Sequence, residues 1–370
     1  MIDVLPRLHP GGVNVATYGI GVGMGDAGRF LISSLQRAGH AVSHINIDYP
    51  NTIPHCPDTL KGFRFDQTIL CLNPSAIAGA GDSALLRTAR QGRVIGVWFW
   101  EAGKLTSGDS DAWNLVDEVW VASRHCEQLL QPAPRPVLRY PFAVPIPVPT
   151  SLERQDLDLP DGPLIGLCTD LRSGRKRKNP EGLVRAFMRA FPRPGQASLI
   201  LKLNGHDSPH DLSSLLRGRG DVHIQTRQYS EIEMQAWYQL IDCYASLHRS
   251  EGLGLGLAHA MAAGTACIAT GWSGNLEFMS TENSRLVPFE LVEVGHGTPY
   301  DPGSMWAEPS EDAAVSALRQ VVDDPDTWRR LGESAASTMR DHHTFTLTAP
   351  WFREHVGPFD KSNRRFGSHE

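Results

Sequence analysis

Residues 243–264 read CYASLHRSEGLGLGLAHAMAAG, a short apolar run followed by a glycine-rich loop and a helical pattern. The apolar run over residues 243–247 is typical of a buried strand. The helix is predicted to begin near Leu255 and to end at Gly264, because glycine commonly terminates helices. A strand that leads through such a loop into a helix is the repeating unit of a parallel, doubly wound sheet.

Strands and helices alternate on both sides of this stretch. In the first half, strands are predicted at residues 13–18, 41–47, 67–72, 93–98, 118–122 and 137–140. In the second half they are predicted at residues 164–168, 198–203, 223–225, 243–247 and 267–269. A proline-rich segment separates the two series at residues 141–163.

The two series predict an α/β chain with two Rossmann-like, doubly wound domains. The N-terminal domain is expected over residues 1–148 and the C-terminal domain over residues 149–344. The tail, residues 345–370, is expected to pack back on the N-terminal domain. Because ligands of open parallel sheets bind beyond the carboxyl ends of the strands, loops of both domains can contribute to one site.

The composition of the chain is that of an ordinary globular protein. Of its 370 residues, 41% are hydrophobic and 21% charged, and the net charge of −6 argues against a binder of bare nucleic acid. The six cysteines form no CxxC or zinc-type pair, which is typical of a reducing compartment. We find neither a signal peptide nor an apolar run that could span a membrane, so a cytoplasmic protein is expected.

A basic run lies between the predicted strand 164–168 and the next helix. Residues 172–178 read RSGRKRK, and five of these seven are cationic. A solvated charged surface or a nucleic-acid patch would also explain such a run. Its place at the carboxyl end of a strand favours a site for a diphosphate, with Arg172 and Lys178 as candidate ligands.

The glycine-rich loop after residue 247 is the second candidate. Glu251 can accept hydrogen bonds from sugar hydroxyls, and the N–H groups of Gly254 and Leu255 can hold a phosphate. His259 follows on the helix, where packing against a neighbouring helix is a serious alternative to ligand binding.

The turn after the next strand is the third candidate, because Ser273, Gly274 and Asn275 could bring N–H groups to the same ligand. A simple helix cap would explain that turn as well.

Two candidates lie in the first half of the chain. Residues 19–25 form a glycine cluster in which Gly23 and Gly25 could let the backbone approach a phosphate. Its partial match to GxGxxG leaves an NAD site open, but only Asp48 stands near the expected acidic position. Trp100 and Glu101 end a predicted strand, where they could stack on a sugar and bond a hydroxyl, although aromatic residues this dense are normally core.

These pieces, in this order, resemble the retaining glycosyltransferases of family four, which adopt the GT-B fold of two Rossmann-like domains facing a cleft. The resemblance runs from about residue 13 to 310, and its specific part is C-terminal. The matching segments are residues 250–255, 260–264, 268–270 and 273–275, together with 178–180. A bacterial subgroup of the family also has segments like residues 23–26, 98–101 and 117–120.

The resemblance implies a role for most of the candidate residues. Arg172 and Lys178 would neutralise the diphosphate leaving group, and Glu251 would bond the transferred sugar. Gly23 and Gly25 would approach the phosphates. Where the family has a second glutamate, which bonds the ribose of the nucleotide, this chain has His259.

The family generally needs no metal and no further cofactor. In agreement, we find no convincing Asp-x-Asp metal site: Asp109 and Asp111 have that spacing, but they are typical of a polar loop or a helix cap. The donor is expected to be a nucleoside diphosphate sugar, with UDP or GDP as the favoured nucleotides. The acceptor, a small molecule or a glycan, and the oligomeric state are left open.

Three functions therefore compete. The first is a retaining glycosyltransferase, favoured by Arg172, Lys178 and Glu251. The second is a non-catalytic relative that binds a nucleotide sugar or a glycan, for which His259 is the main argument. The third is a dinucleotide-dependent oxidoreductase, suggested only by the N-terminal glycine cluster.

Overall fold

The computed structural model describes residues 6–19, 23–47, 62–204, 216 and 218–357. The chain divides into two compact units. Unit 1 comprises Met1–Trp100, Lys104–Ala143 and Phe345–Glu370, and unit 2 comprises Glu101–Gly103 and Val144–Thr344. Asp48, Cys56, residues 20–22 of the glycine cluster and the last residues, 358–370, lie outside the described part.

Unit 1 contains a parallel sheet whose strands are the first predicted series. Its strands, in sequence order, are β1 (Gly12–Tyr18), β2 (Ala41–Ile47), β3 (Gln67–Cys71), β4 (Arg93–Val97), β5 (Glu118–Val121) and β6 (Val137–Arg139). They pair in the order β2-β1-β3-β4-β5-β6. Every residue of β1 is buried, as expected for an inner strand of a parallel sheet that is covered on both faces.

The helices of unit 1 alternate with these strands. They are α1 (Gly23–Arg37), α2 (Pro74–Gly79), α3 (Ala84–Ala89), α4 (Ser107–Ser110) and α5 (Arg124–Leu129). Short polar side chains begin several of them: Ser83, Thr106 and Ser123 each accept a hydrogen bond from a backbone N–H in the first turn.

Unit 2 contains the second parallel sheet. Its strands are β7 (Leu164–Asp170), β8 (Ser198–Asn204), β9 (Val222–Gln225), β10 (Cys243–Ser246), β11 (Ala266–Thr270) and β12 (Arg285–Val287), which pair in the order β12-β11-β10-β7-β8-β9. The sequence of unit 2 also forms an antiparallel hairpin, β13 (Phe289–Glu293) and β14 (Met305–Pro309). Strands β12 to β14 lie beyond the last strand that the sequence predicted.

The helices of unit 2 with described bounds are α6 (Arg175–Lys178), α7 (Pro180–Ala190), α8 (Glu231–Leu240), α9 (Leu255–Ala262), α10 (Glu311–Asp323) and α11 (Pro325–His342). Helix α7 begins with proline directly after Asn179, whose side chain accepts from the N–H of Gly182. The last helix, α12 (Phe345–His355), belongs to unit 1, where Arg353 donates to the carbonyl of Ala38.

The predicted strands all form, with ends that differ from the prediction by at most two residues. The α/β class with two parallel sheets is thus confirmed. No helix in the described ranges is long and apolar enough to cross a membrane.

Helix α11 packs so closely on the turn after α9 that only glycine fits at position 332. A Cβ atom there would lie 2.1 Å from the carbonyl oxygen of Gly264. We expect Gly332→Ala to lower the free energy of unfolding by about 2 kcal/mol, because backbone must move to relieve the overlap. Urea unfolding measures the effect.

Gly79→Ala is the matched control, since Gly79 also lies in a helix but has no atom within 4 Å of the added Cβ. Its unfolding free energy should stay close to wild type or rise slightly. Equal stability of Gly332→Ala and this control would contradict the close packing of α11.

Candidate active site

The basic run becomes a turn and a short helix at the carboxyl end of β7. Residues Leu171–Ser173 form a 3₁₀ turn, and α6 begins after the single residue Gly174. Asn179 then adopts a left-handed conformation, with φ 51° and ψ 45°, which ends α6 and starts α7. The buried side chain of Asn179 donates to the carbonyl of Leu247 at 2.8 Å, so the end of the basic run is fixed beside the end of β10.

This arrangement brings Lys178 to Glu251. The Lys178 Nζ atom lies 2.6 Å from Oε1 of Glu251, whose residue is only 7% exposed. The Glu251 backbone is held by the turn after β11: its N–H donates to Oγ of Ser273 at 2.8 Å, and its carbonyl accepts from the N–H of Gly274 at 2.9 Å. Two separate sequence predictions, the basic run and the glycine-rich loop, therefore meet in one place.

Arg177, which sequence reasoning did not single out, is the most enclosed cation of the run. It is 3% exposed, and its terminal nitrogens lie 3.3 Å from Glu251 and 3.2 Å from Glu101. Burial alone would lower the pKa of Arg177, but the two carboxylates reverse that effect and raise the pKa above its ordinary value. The sequence shows five cations among seven residues without indicating which of them turns inward.

Glu251 is ionised although it is buried. Burial opposes its charge, but Lys178, Arg177 and His248 outweigh this effect and bring the pKa down to about 2. The carboxylate is therefore a hydrogen-bond acceptor at every physiological pH.

His248 and Asn275 are fully buried near this carboxylate and are hydrogen-bonded to each other. His248 Nε2 donates to Oδ1 of Asn275 at 3.1 Å, and the amide of Asn275 donates to the carbonyl of Thr270 at 3.1 Å. Burial lowers the pKa of His248, although Glu251 acts in the opposite direction, so the ring is neutral at neutral pH. Asn275, predicted as a ligand contact, is fully buried and fixes the loop after β11.

Arg172 faces a different carboxylate. Its Nε and NH2 atoms lie 2.9 and 2.7 Å from the oxygens of Asp170, a bidentate pair at the end of β7. Lys178, by contrast, pairs with Glu251. The expected action of both residues on one diphosphate stays a prediction.

The loop between β10 and α9 is shaped by Gly254, which adopts a left-handed conformation with φ 90° and caps the helix. Leu255 is the first residue of α9, so the N–H groups here belong to a helix N-terminus, which favours anions. One turn further on, the His259 ring stacks on Tyr238 of α8, with centroids 5.5 Å apart and planes at 19°. For His259 the sequence left two roles open, packing against a neighbouring helix and binding a ligand. This stacking is the packing contact.

The N-terminal candidates have a different setting. Gly25 lies in α1, and a Cβ there would come 2.1 Å from the carbonyl oxygen of Gly19, so glycine is required for the turn itself. Gly23 begins the same helix and has no such contact. Both belong to unit 1, and their approach to a ligand held by unit 2 stays a prediction.

Trp100 and Glu101 are neighbours in sequence that belong to different units. Trp100 is buried in unit 1, where its carbonyl accepts from the Cys126 thiol. Glu101 lies in unit 2, between Arg177 and the hydroxyl of Tyr300. A role of either residue at an acceptor sugar is not tested by these contacts.

The described residues contain no group of three or more His, Cys, Asp or Glu side chains placed to hold a metal ion. Asp109 lies in α4, where its N–H donates to the hydroxyl of Thr106, the residue that caps this helix.

The match to a known protein family lies within unit 2. Residues 163–294 match the family described as glycosyl transferases group 1, which covers rather more than a third of the chain. The comparison with curated proteins finds no relative.

Several solved structures resemble nearly the whole chain. Sucrose-phosphate synthase from Thermosynechococcus elongatus gives a TM-score of 0.67 at 17% identity, over 94% of this chain and 98% of that one. Anabaena HepE in complex with UDP-glucose gives 0.66 at 15% identity, over 93% and 98%. A glycosyltransferase from Rickettsia africae gives 0.65 at 14%, over 94% and 98%.

At identities this low, the likeness establishes the fold alone. The chain has the GT-B fold with two Rossmann-like domains, as the sequence predicted. Together with the family match over unit 2, the fold supports a glycosyltransferase.

The ionised Glu251 should make stability depend on pH in a specific window. Its pKa falls from 4.5 to about 2 on folding, so its contribution is complete above pH 4.5 and is lost as pH falls towards 2. We expect the stability difference between wild type and Glu251→Gln to shrink by about 1.4 kcal/mol between pH 7 and about pH 3.5, one pH unit below the unfolded value.

Urea unfolding of both proteins at the two pH values measures this change. A difference that is the same at pH 7 and at about pH 3.5 would show that Glu251 has the same proton affinity in the folded and unfolded protein.

Proposed function

We propose that the chain is a retaining glycosyltransferase that moves a sugar from a nucleoside diphosphate to an acceptor hydroxyl. The observation that carries the proposal is the ion pair between Lys178 and Glu251, at 2.6 Å and at the carboxyl ends of β7 and β10. This is the position at which open parallel sheets bind ligands. A cation for a phosphate and a carboxylate for sugar hydroxyls therefore stand side by side.

The pair suggests how the donor is accommodated. A diphosphate would take the place of Glu251 as the partner of Lys178, and hydroxyls of the sugar would take the place of Lys178 as partners of Glu251. The buried Glu251 and the half-buried Lys178 thus each keep a partner, and neither charge is left uncompensated. The helix N-terminus at Gly254 and Leu255, with the turn at Ser273 and Gly274, would add N–H groups to the phosphates.

In the reaction, the bond between the anomeric carbon and the phosphate oxygen breaks, and a bond to the acceptor oxygen forms on the same face. The acceptor proton passes to the departing phosphate oxygen. Lys178 and Arg172 would stabilise the negative charge that develops on the diphosphate, which is the role that a metal plays in other enzymes. We therefore propose a metal-independent reaction.

The nucleotide is proposed to be UDP or GDP. The structure of Anabaena HepE with UDP-glucose supports a uridine donor by its shared fold. The acceptor is proposed to be a small molecule or a glycan, and the cysteine usage favours a reducing compartment such as the cytoplasm.

A non-catalytic nucleotide-sugar binder is the second candidate, and His259 is the observation that favours it. In the family pattern a glutamate stands there, whereas His259 stacks on Tyr238. The N-terminal glycine cluster gives no comparable support to NAD chemistry, because contact with the carbonyl of Gly19 explains the glycine at position 25.

Transfer or hydrolysis of a nucleotide sugar by the purified protein separates the two candidates. We expect activity from UDP- or GDP-sugars, undiminished by EDTA. Lys178→Ala should lose about a hundredfold in kcat, since it removes a charged contact to the leaving group.

Lys176→Ala is the matched control for this substitution. Lys176 lies in the same short helix, but its Nζ donates to the carbonyl of His296 at 2.7 Å. Its kcat should stay near wild type. A Lys178→Ala protein that transfers sugar at the wild-type rate would remove Lys178 from the reaction, and a wild type that binds the donor without turning it over would favour the binding protein.

His259 should act on donor affinity and not on turnover. Because the ribose does not change during the reaction, its contacts bind ground state and transition state equally. We expect His259→Ala to raise the Kd of the nucleoside diphosphate and His259→Glu to retain or lower it, both measured by calorimetry. If His259→Ala is less stable yet binds the nucleotide as tightly as wild type, the histidine only packs on Tyr238.

A further inference from the structure

The β13–β14 hairpin lies against the loop that carries Glu251. The N–H of Ala307 donates to the carbonyl of Arg249 at 2.9 Å, and the Arg249 guanidinium pairs with Glu308 and lies over the ring of Trp306. Residue 249 precedes Glu251 by only two positions. Strand β14 lies beyond residue 294, where the family match ends. The contacts that β14 makes with Arg249 therefore come from outside the matched residues.

The connection within this hairpin reaches Glu101. The hydroxyl of Tyr300 donates to Oε2 of Glu101 at 3.0 Å, and the hydroxyl of Ser250 donates to the Glu101 carbonyl. The neighbouring Ala102 packs in a small apolar cluster with Trp306. Glu101 is thus held by its side chain and by its backbone.

Arg177 connects Glu101 to Glu251. Its NH1 atom donates to the carbonyl of Ser250 at 2.8 Å and lies 3.3 Å from Oε2 of Glu251. Its NH2 atom donates to the carbonyl of Ser173 at 2.8 Å and lies 3.2 Å from Oε1 of Glu101. The four N–H groups of the two terminal nitrogens therefore face four acceptors of the protein. The fifth N–H, on Nε, has no hydrogen-bond partner, but it is buried and so is not exposed to a phosphate.

We infer that Arg177 is a positioning residue that holds Glu251 in place, and that Tyr300 holds Arg177 through Glu101. This inference rests on the proposed function. Two adjacent cations of the basic run then have different tasks: Lys178 can leave Glu251 for the diphosphate, whereas Arg177 stays. Glu251 keeps a cationic partner while the donor is bound, so it remains an ionised acceptor for the sugar hydroxyls.

The charged groups around Glu251 determine what a substitution of Arg177 does. Lys178 and Arg177 face it from α6, and the titratable His248 faces it from just after β10. Glu101 and Tyr300 act on it through Arg177. Because Tyr300 is half-buried beside Glu101, desolvation raises its pKa well above the usual range and it stays a donor. Loss of Arg177 removes a positive charge, so the pKa of Glu251 should rise.

Arg177→Gln tests the inference through two independent measurements. The Kd of UDP or GDP alone should stay within about threefold of wild type, because Arg177 does not bind the diphosphate. The kcat for transfer should fall about tenfold or more, since Glu251 is no longer held, and the acid limb of the pH–kcat profile should move to higher pH. A loss of UDP and GDP affinity that parallels the loss of kcat, with an unmoved acid limb, would overturn the inference and make Arg177 a diphosphate ligand.

Two milder variants test the rest of the chain of contacts. Arg177→Lys keeps the positive charge but loses the planar guanidinium that donates to several acceptors at once. Compared with Arg177→Gln, it should return the acid limb of the pH–kcat profile to the wild-type position, while kcat recovers only in part. Tyr300→Phe removes a single hydroxyl and should lower kcat by a smaller factor, again with unchanged UDP and GDP affinity. Wild-type kcat in Tyr300→Phe would show that the hairpin does not position Arg177.

Arg219→Gln is the control for a loss of stability alone. Arg219 pairs with Asp221 and donates to the carbonyl of Phe191, just before β9 and away from the carboxyl ends of the strands. The Arg219→Gln protein should show the acid limb of the pH–kcat profile at its wild-type position. If wild type itself neither binds nor turns over nucleotide sugars, the proposed function fails; if wild type transfers sugar and Arg177→Gln does so equally well, only the positioning role fails.

Discussion

A buried carboxylate needs positive charge, and Glu251 satisfies this need with two adjacent cations of one short helix. Leaving such a group without its partner costs about 3–5 kcal/mol in typical proteins. The position of α6, the left-handed Asn179 that ends it and the loop after β10 are therefore interdependent. The Lys178 and Arg177 contacts, at 2.6 and 3.3 Å, exist only when all three are in place.

The parallel sheet makes this meeting possible over a long separation in sequence. Strands β7 and β10 are direct neighbours in the sheet, paired at Ile165 with Cys243. Parallel neighbours end at the same edge, so the residues that follow them converge. The same geometry places the turn after β11 next to the loop of Glu251, where Ser273 and Gly274 bind its backbone.

This convergence explains how much could be predicted from sequence. Apolar runs locate the strands of both sheets, and their carboxyl ends indicate Lys178 and Glu251 as neighbours. The hairpin was not predicted because β13 is half exposed and contains Glu290 and Glu293. These two glutamates obscure the apolar pattern by which a strand is recognised. Glu101 was expected near an acceptor; its contacts with Arg177 and Tyr300 depend on tertiary packing that no local pattern encodes.

The basic run illustrates why residue type alone does not assign a role. Consecutive residues of a helix point about 100° apart, so Arg177 and Lys178 approach Glu251 from different directions and differ in burial. The side chain of Arg177 is 4% exposed and that of Lys178 is 21% exposed. A guanidinium suits the enclosed position, because its planar fork can bond several fixed acceptors at once, whereas a flexible ammonium suits a position where partners are exchanged. Burial and side-chain chemistry thus agree with the proposed division of tasks, in which Arg177 keeps its partners and Lys178 exchanges them.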